Sequence, residues 1–180
     1  MEDFSSYCLT EPDSGSDSRA MKSFAKKEGD EYVISGSKMF ISGGSFSSIY
    51  IVMAKTSPTE VSAFIVPGDA KGVEFGKKEE KMGWTIQPTS LVSFDNVRIP
   101  AANLIGKEGD GFKIAMKALD GGRINIASCT LGGATFCLEA SRKYLNSRKQ
   151  FGKKLADFQY LQFKYADMAS DLVSSRYCLV

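Results

Sequence analysis

Ser90-Leu91-Val92-Ser93-Phe94-Asp95-Asn96-Val97-Arg98-Ile99-Pro100-Ala101-Ala102-Asn103-Leu104-Ile105-Gly106-Lys107-Glu108-Gly109-Asp110-Gly111-Phe112 is where the chain changes character. Upstream, short runs rich in β-branched and aromatic residues alternate with turn signals. Downstream, apolar residues recur at helical spacing, beginning with Phe112, Ala115, Met116 and Leu119. Pro100 closes the last strand-like run, and the glycines that follow mark a link. The pattern predicts an α+β protein: a small antiparallel β-barrel or sandwich over residues 1–105, then two long helices of an incomplete bundle over 106–180.

Working back from that break, the predicted strands are Ser90 to Ile99, Val73 to Phe75, Val61 to Val66, Ser48 to Ala54 and Met39 to Ile41. Tyr32 to Ile34 and Ser23 to Lys26 flank Lys27-Glu28-Gly29-Asp30-Glu31, which reads as a hairpin.

Working forward, Gly106-x-x-Gly109-x-Gly111 invites comparison with a phosphate-binding loop. Its glycine order is wrong for the dinucleotide fingerprint and no βαβ unit surrounds it, so a turn capped by Asp110 is the better reading. The first helix spans about Gly111 to Asn146. Gly121-Gly122 and Gly132-Gly133 interrupt it, which implies close packing or a ligand's approach. The second begins near Leu155, with a seam at Phe158, Leu161, Tyr165, Met168 and Leu172 made to pack on other helices. It is still periodic at Val180, so the fold is expected to continue beyond the chain.

Composition removes whole classes of chemistry. With 180 residues and no histidine, there is no Ser-His or Cys-His pair and no imidazole metal ligand. The 23 basic and 21 acidic residues are interspersed, which leaves no one-signed stripe for nucleic acid. No apolar run reaches the roughly 20 residues that cross a bilayer, so no membrane insertion is expected. Met1-Glu2-Asp3-Phe4 carries no leader pattern. Cys8, Cys129, Cys137 and Cys178 form no C-x-x-C pair, and are expected to be reduced, mostly buried thiols rather than metal ligands.

One stretch of loop carries the strongest chemical signal. Tyr7-Cys8-Leu9-Thr10-Glu11-Pro12-Asp13-Ser14-Gly15-Ser16-Asp17 resembles the Y-C-x-T-E-P-x-x-G-S-D signature of the acyl-CoA dehydrogenase family. Further landmarks of that family follow in order: Gly36 to Ser42, Phe94 to Pro100, Gly106 to Phe112, Gly121-Gly122-Arg123, and Arg148-Lys149-Gln150-Phe151-Gly152 with Leu155 and Gln159. Leu119 to Cys129 and Tyr160 to Phe163 resemble the branch acting on isobutyryl-CoA. Phe158 departs from that branch, which tends to be polar there.

The resemblance implies an FAD flavoprotein of the mitochondrial matrix, tetrameric in its complete form. Its plan is a helical domain, a β-domain and a four-helix bundle, of which this chain matches the β-domain and the first two bundle helices. The implied reaction removes an α-proton and a β-hydride from a short branched acyl-CoA, taking isobutyryl-CoA to methacrylyl-CoA, with electrons leaving through electron-transfer flavoprotein.

It also implies site residues. Tyr7, Cys8, Leu9, Thr10, Glu11, Pro12, Asp13, Ser14, Gly15 and Ser16 would line the flavin, a loop backbone dense in Thr, Ser and Gly presenting donors without bulk. Read on composition alone, the same segment is a plain turn. Asp13 stands where the family commonly has a small neutral residue. Phe40, Ile41 and Ser42 would pack along the ring, Phe40 otherwise being an ordinary core aromatic. Arg148, Gln150, Phe151, Phe158 and Gln159 would reach the adenosine and pyrophosphate of FAD in a neighbouring subunit; read plainly they are a basic turn with Phe151-Gly152 as its stop.

Ser16 with Asp120, Gly121, Gly122 and Arg123 would contact acyl-CoA, Arg123 being otherwise a surface ion pair. Some relatives carry their catalytic glutamate at the place of Gly122, so the base here is expected on a later loop, past Val180. A binding remnant without turnover is the alternative for the 180 residues alone. Ser35-Gly36-Ser37-Lys38 also fits a serine acyl-enzyme pattern, but its companion motifs are absent and it reads as accidental.

Overall fold

The structure, a computed structural model, describes residues 4–179. The readings of Met1–Asp3 as free of a leader pattern and of Val180 as still helical lie outside the described residues. The chain divides into two compact units, Met1–Lys117 and Ala118–Val180.

The first unit holds eight strands: β1 (Ser5–Cys8), β2 (Phe24–Glu28), β3 (Glu31–Ser42), β4 (Ile49–Lys55), β5 (Val61–Pro67), β6 (Val73–Lys78), β7 (Thr89–Pro100) and β8 (Leu104–Ile105). They form one sheet in the order β6-β7-β3-β2-β4-β5-β8, with β1 pairing parallel to β4. The predicted barrel does not appear: among the described residues no ladder joins β6 to β8, so the sheet stays open. Nor is it wholly antiparallel, since β2 also meets β4 in parallel at Phe24 and Lys55.

The sheet nonetheless curls over a core. Along β4, side chains alternate between faces. Tyr50, Val52 and Ala54 enter one cluster with Tyr32, Ile34, Phe64, Val92, Val97 and Ile99, whereas Met53 enters a second. The Tyr32 and Phe64 rings, from β3 and β5, lie 4.9 Å apart across the first cluster. Burying each such large apolar side chain is worth about 1.5–3 kcal/mol, which makes this cluster the main source of cohesion. The second cluster joins Leu9, Met21, Met53, Val61 and Ala63 to Phe112, Ala115 and Met116 at the start of α1 (Gly111–Ser147).

The Glu28–Glu31 hairpin is tighter than expected, with Gly29-Asp30 alone as its turn and Gly29 at φ +62°. The two predicted strands Tyr32 to Ile34 and Met39 to Ile41 are one, β3. The polar run between them hides the continuity in sequence, and the ladder absorbs it as register shifts between Ile34 and Gly36 and between Lys38 and Ile41.

The glycine link lies against β5. A Cβ on Gly111 would meet the Ser62 carbonyl carbon at 2.4 Å, and Gly109 N–H donates to Ser62 Oγ at 3.0 Å. Asp110 closes the turn behind it, its carboxylate accepting the Lys107 N–H at 3.0 Å, rather than capping forward into the helix as expected.

In the second unit α1 runs unbroken to Ser147, so the paired glycines do not interrupt it. A Cβ at Gly121, Gly122, Gly132 or Gly133 would meet nothing within 4 Å, so close packing within the described residues does not explain them. Then come a two-residue ribbon, β9 (Lys149–Gln150) with β10 (Lys153–Lys154), a 3₁₀ turn over Leu155–Asp157, and α2 (Gln159–Tyr177). Leu161, Tyr165 and Leu172 of the seam are half-buried, while Met168, Phe136, Tyr160 and Phe163 are exposed. Three cysteines depart from expectation: Cys8 is buried, but Cys129, Cys137 and Cys178 sit exposed on the helices or at their end.

Candidate functional site

The Tyr7–Ser16 segment leaves β1 and turns back on itself, Glu11 and Ser14 exchanging backbone hydrogen bonds of 2.9 and 3.1 Å. Ser14 Oγ donates to Asp17 O at 2.7 Å and holds the far end of the turn. The segment is then fixed to β3, where Met39 N–H donates to Thr10 O at 2.8 Å. That bond brings the loop beside the second sequence-predicted group, Phe40 to Ser42.

These residues fall into two kinds. Cys8, Leu9, Glu11, Ser14 and Ile41 are buried, so their side chains belong to the protein's interior. Pro12, Asp13, Gly15, Ser16, Phe40 and Ser42 are exposed, with Thr10 and Tyr7 half-buried. Tyr7 donates to Ala115 O at 3.3 Å, and burial followed by the neighbouring Cys8 pushes its phenol up to about 12. Burial likewise pushes the Cys8 thiol up to about 12, so it stays protonated and inert.

Phe40 is the outlier. It sits at φ +58°, a region bulky residues seldom enter, at the register shift of β3, and is 57% exposed. An ordinary core phenylalanine would be neither strained nor exposed, so that alternative is set aside. Ser42 O accepts the Ser6 hydroxyl at 2.6 Å, leaving the Ser42 side chain on the surface.

Beneath the loop lies a charge pair that the sequence did not announce. Lys38 Nζ donates to Glu11 Oε1 at 2.8 Å and to Leu9 O at 3.2 Å. Glu11 also accepts the N–H groups of Lys22 at 2.6 Å and Ser23 at 3.0 Å. Burial pushes the Glu11 carboxyl up, but the Lys22 N–H, the Lys38 ammonium and the Ser23 N–H outweigh it and hold it below the usual carboxylate range. Burial pulls Lys38 below its ordinary value, against the opposing pull of Glu11. The serine acyl-enzyme pattern fails on the same geometry, because Lys38 serves Glu11 while Ser35 Oγ donates to Asn96 Oδ1 at 3.2 Å.

In the second unit, Asp120 and Arg123 are exposed one helical turn apart and loosely paired at 3.6 Å. Arg148 leads into the ribbon, whose turn is Phe151-Gly152, with Phe151 at φ +53° and Gly152 at φ +77°. Phe151-Gly152 is therefore a hairpin turn and not a helix stop. Phe151 is 91% exposed, its ring edge-on to Phe158 at 6.4 Å, and Lys153 Nζ lies 4.1 Å over Phe158. Gln150 and Gln159 are exposed beside them.

The loop's outward face fits a flavin: exposed hydroxyls at Ser16 and Ser42, an exposed aromatic face at Phe40, and Gly15, where a Cβ would meet nothing within 4 Å. Among the described residues no cluster of three metal-ligating side chains occurs, and no helix is long and apolar enough to cross a membrane.

The acyl-CoA dehydrogenase middle domain matches residues 6–97, and the acyl-CoA dehydrogenase C-terminal domain matches residues 109–180. The chain belongs to the acyl-CoA dehydrogenase family. It is 54% identical to the mitochondrial isobutyryl-CoA dehydrogenase of Dictyostelium discoideum, over 98% of this chain and 43% of that protein. The Bos taurus protein of the same name is 53% identical, with the same coverage. Butyryl-CoA dehydrogenase from Megasphaera elsdenii superposes with a TM-score of 0.94 at 41% identity, covering 98% of this chain and 48% of that one. A structure described as the electron transferring flavoprotein of Acidaminococcus fermentans superposes at 0.93 with 42% identity, again over 98% and 48%. The chain thus spans less than half the length of the relatives it matches.

Proposed function

We propose that this chain supplies the flavin- and acyl-CoA-contacting part of an FAD-dependent dehydrogenase of short branched acyl-CoA, converting isobutyryl-CoA to methacrylyl-CoA. The observation that carries the reading is the identity of 54% and 53% to two isobutyryl-CoA dehydrogenases over nearly all of this chain. The same two names support a mitochondrial matrix location, and the Acidaminococcus match supports electron-transfer flavoprotein as the electron acceptor. A homotetramer follows from the family plan.

In this reading residues 1–105 form the contacting β-domain and 106–180 begin the helical domain. Thr10, Ser16 and Ser42 donate hydrogen bonds to the polar edge of the ring, and Phe40 covers its face. Asp120 to Arg123 border the acyl and pantetheine chain, the open glycines leaving room for it. Arg148 and Gln150, with Phe151, Phe158 and Gln159, hold the adenosine and pyrophosphate end of FAD in a neighbouring subunit. FAD supplies the hydride-accepting centre. Gly122 offers no carboxylate, so the α-proton goes to a group outside these 180 residues, which on their own bind without turnover.

The test is purification of the full-length protein and assay of isobutyryl-CoA against butyryl-CoA with a dye acceptor. Bound flavin, methacrylyl-CoA as product and a higher kcat/KM for the branched substrate are expected. A colourless protein, or a clear preference for the straight chain, overturns the reading.

A further inference from the structure

We infer that Glu11 and Lys38 are positioning residues whose buried ion pair holds the flavin-contacting loop in its binding geometry before the cofactor arrives. The inference rests on the flavin reading of the loop and of Phe40 to Ser42.

The pair cannot act by contact, since its side chains are 5% and 0% exposed. What it does is join two surfaces that must be held together. Lys38 directly precedes the Met39 that bonds Thr10 and the Phe40 that stands out from the β3 irregularity. On the loop side, three consecutive residues are tied down: Leu9 by its carbonyl to Lys38, Thr10 by its carbonyl to Met39, and Glu11 by its carboxylate to Lys38, Lys22 and Ser23. Each partner of Glu11 is a donor, so a carboxylate is the group that serves them all.

Such a segment, rich in Ser and Gly, otherwise loses much conformational freedom on ordering. Fixing it in advance removes that loss from the binding step. A buried ion pair suits this task, because its return is a unique geometry more than net stability.

Two measurements on the full chain test the inference. The first is hydrogen exchange of the apo protein with and without FAD. Peptides over Leu9 to Ser16 are expected to exchange slowly in the apo form and to change little on adding FAD. Rapid exchange that becomes slow only with FAD overturns the inference, since the cofactor would then be ordering the loop. This arm needs no variant and decides the matter if a variant fails to fold.

The second is FAD titration of Glu11→Gln and Lys38→Met variants whose apo forms are folded by circular dichroism. If the competent loop falls to a tenth of the population, the apparent Kd rises about tenfold. A change in the visible circular dichroism of the bound flavin accompanies it, which a stabilising role alone would not produce. A folded variant with unaltered Kd and visible spectrum overturns the inference while leaving the flavin reading intact. A wild-type full chain that takes up no FAD overturns the flavin reading itself, and the inference with it.

Discussion

Lys38 Nζ stands 2.8 Å from Glu11 Oε1 with the two side chains sealed from solvent, whereas every other ion pair among the described residues is at least one-third exposed. The difference decides what each pair is worth. Exposed pairs contribute about 0–1 kcal/mol. Removing one partner of a buried pair leaves an uncompensated charge and costs about 3–5 kcal/mol. Lys38→Met is therefore expected to lower the unfolding free energy by that amount in urea titration. Lys26→Met, which breaks the exposed pair with Glu28, is expected to leave it nearly unchanged. Equal effects would contradict the placement of Lys38.

Acid should act on the same site. The native Glu11 carboxyl is held below its ordinary value, which is about 4.3 in an unfolded chain. Its contribution to stability is thus fully present above about pH 4.3 and is lost as pH falls through the native value. Glu11→Gln has no such proton to bind. Urea midpoints measured from about pH 5 down to pH 3 should fall less steeply for this variant than for wild type. Parallel slopes would show that Glu11 does not titrate differently in the two states.

The strands from β2 to β7 and both helices could be read in the sequence because their signal is local: period-two apolar runs, Gly and Pro punctuation, helical spacing. β1 and β8 could not. Ser5–Cys8 and Leu104–Ile105 are strands only because β4 and β5 lie beside them, which no window of sequence reveals. The same limit governed the site. The loop was legible through its resemblance to a family signature, but its division into buried anchors and exposed donors was not. Lys38 stood in the sequence within a family landmark and an accidental serine pattern, but its place in the polar run Ser35-Gly36-Ser37-Lys38 gave no sign that it would be buried against Glu11.

Glycine effects should differ sharply along α1. Gly111→Ala places a Cβ within 2.4 Å of the Ser62 carbonyl carbon, a clash that only backbone movement relieves. A loss of about 1–3 kcal/mol is expected, typical of overpacking. Gly132→Ala meets open space in mid-helix and should gain up to about 1 kcal/mol from helix propensity. Thermal melts of the two variants give opposite signs if the helix start is packed as described, and the same sign if it is not.

Phe40 offers a way to separate backbone strain from ring contact. At φ +58° a residue with a Cβ is strained by about 1–2 kcal/mol, and glycine is not. Phe40→Ala and Phe40→Gly both lose the exposed ring, so both should bind FAD about tenfold more weakly if the ring covers the flavin. Relief of the strain outweighs glycine's greater freedom in the unfolded chain, so the glycine variant should be more stable than the alanine variant by about 0.5–1 kcal/mol in urea titration. Such a result would mean that the protein tolerates a strained backbone in order to present this ring outward. An alanine variant as stable as the glycine one would remove the strain, and unaltered FAD affinity in both would remove the ring from the site.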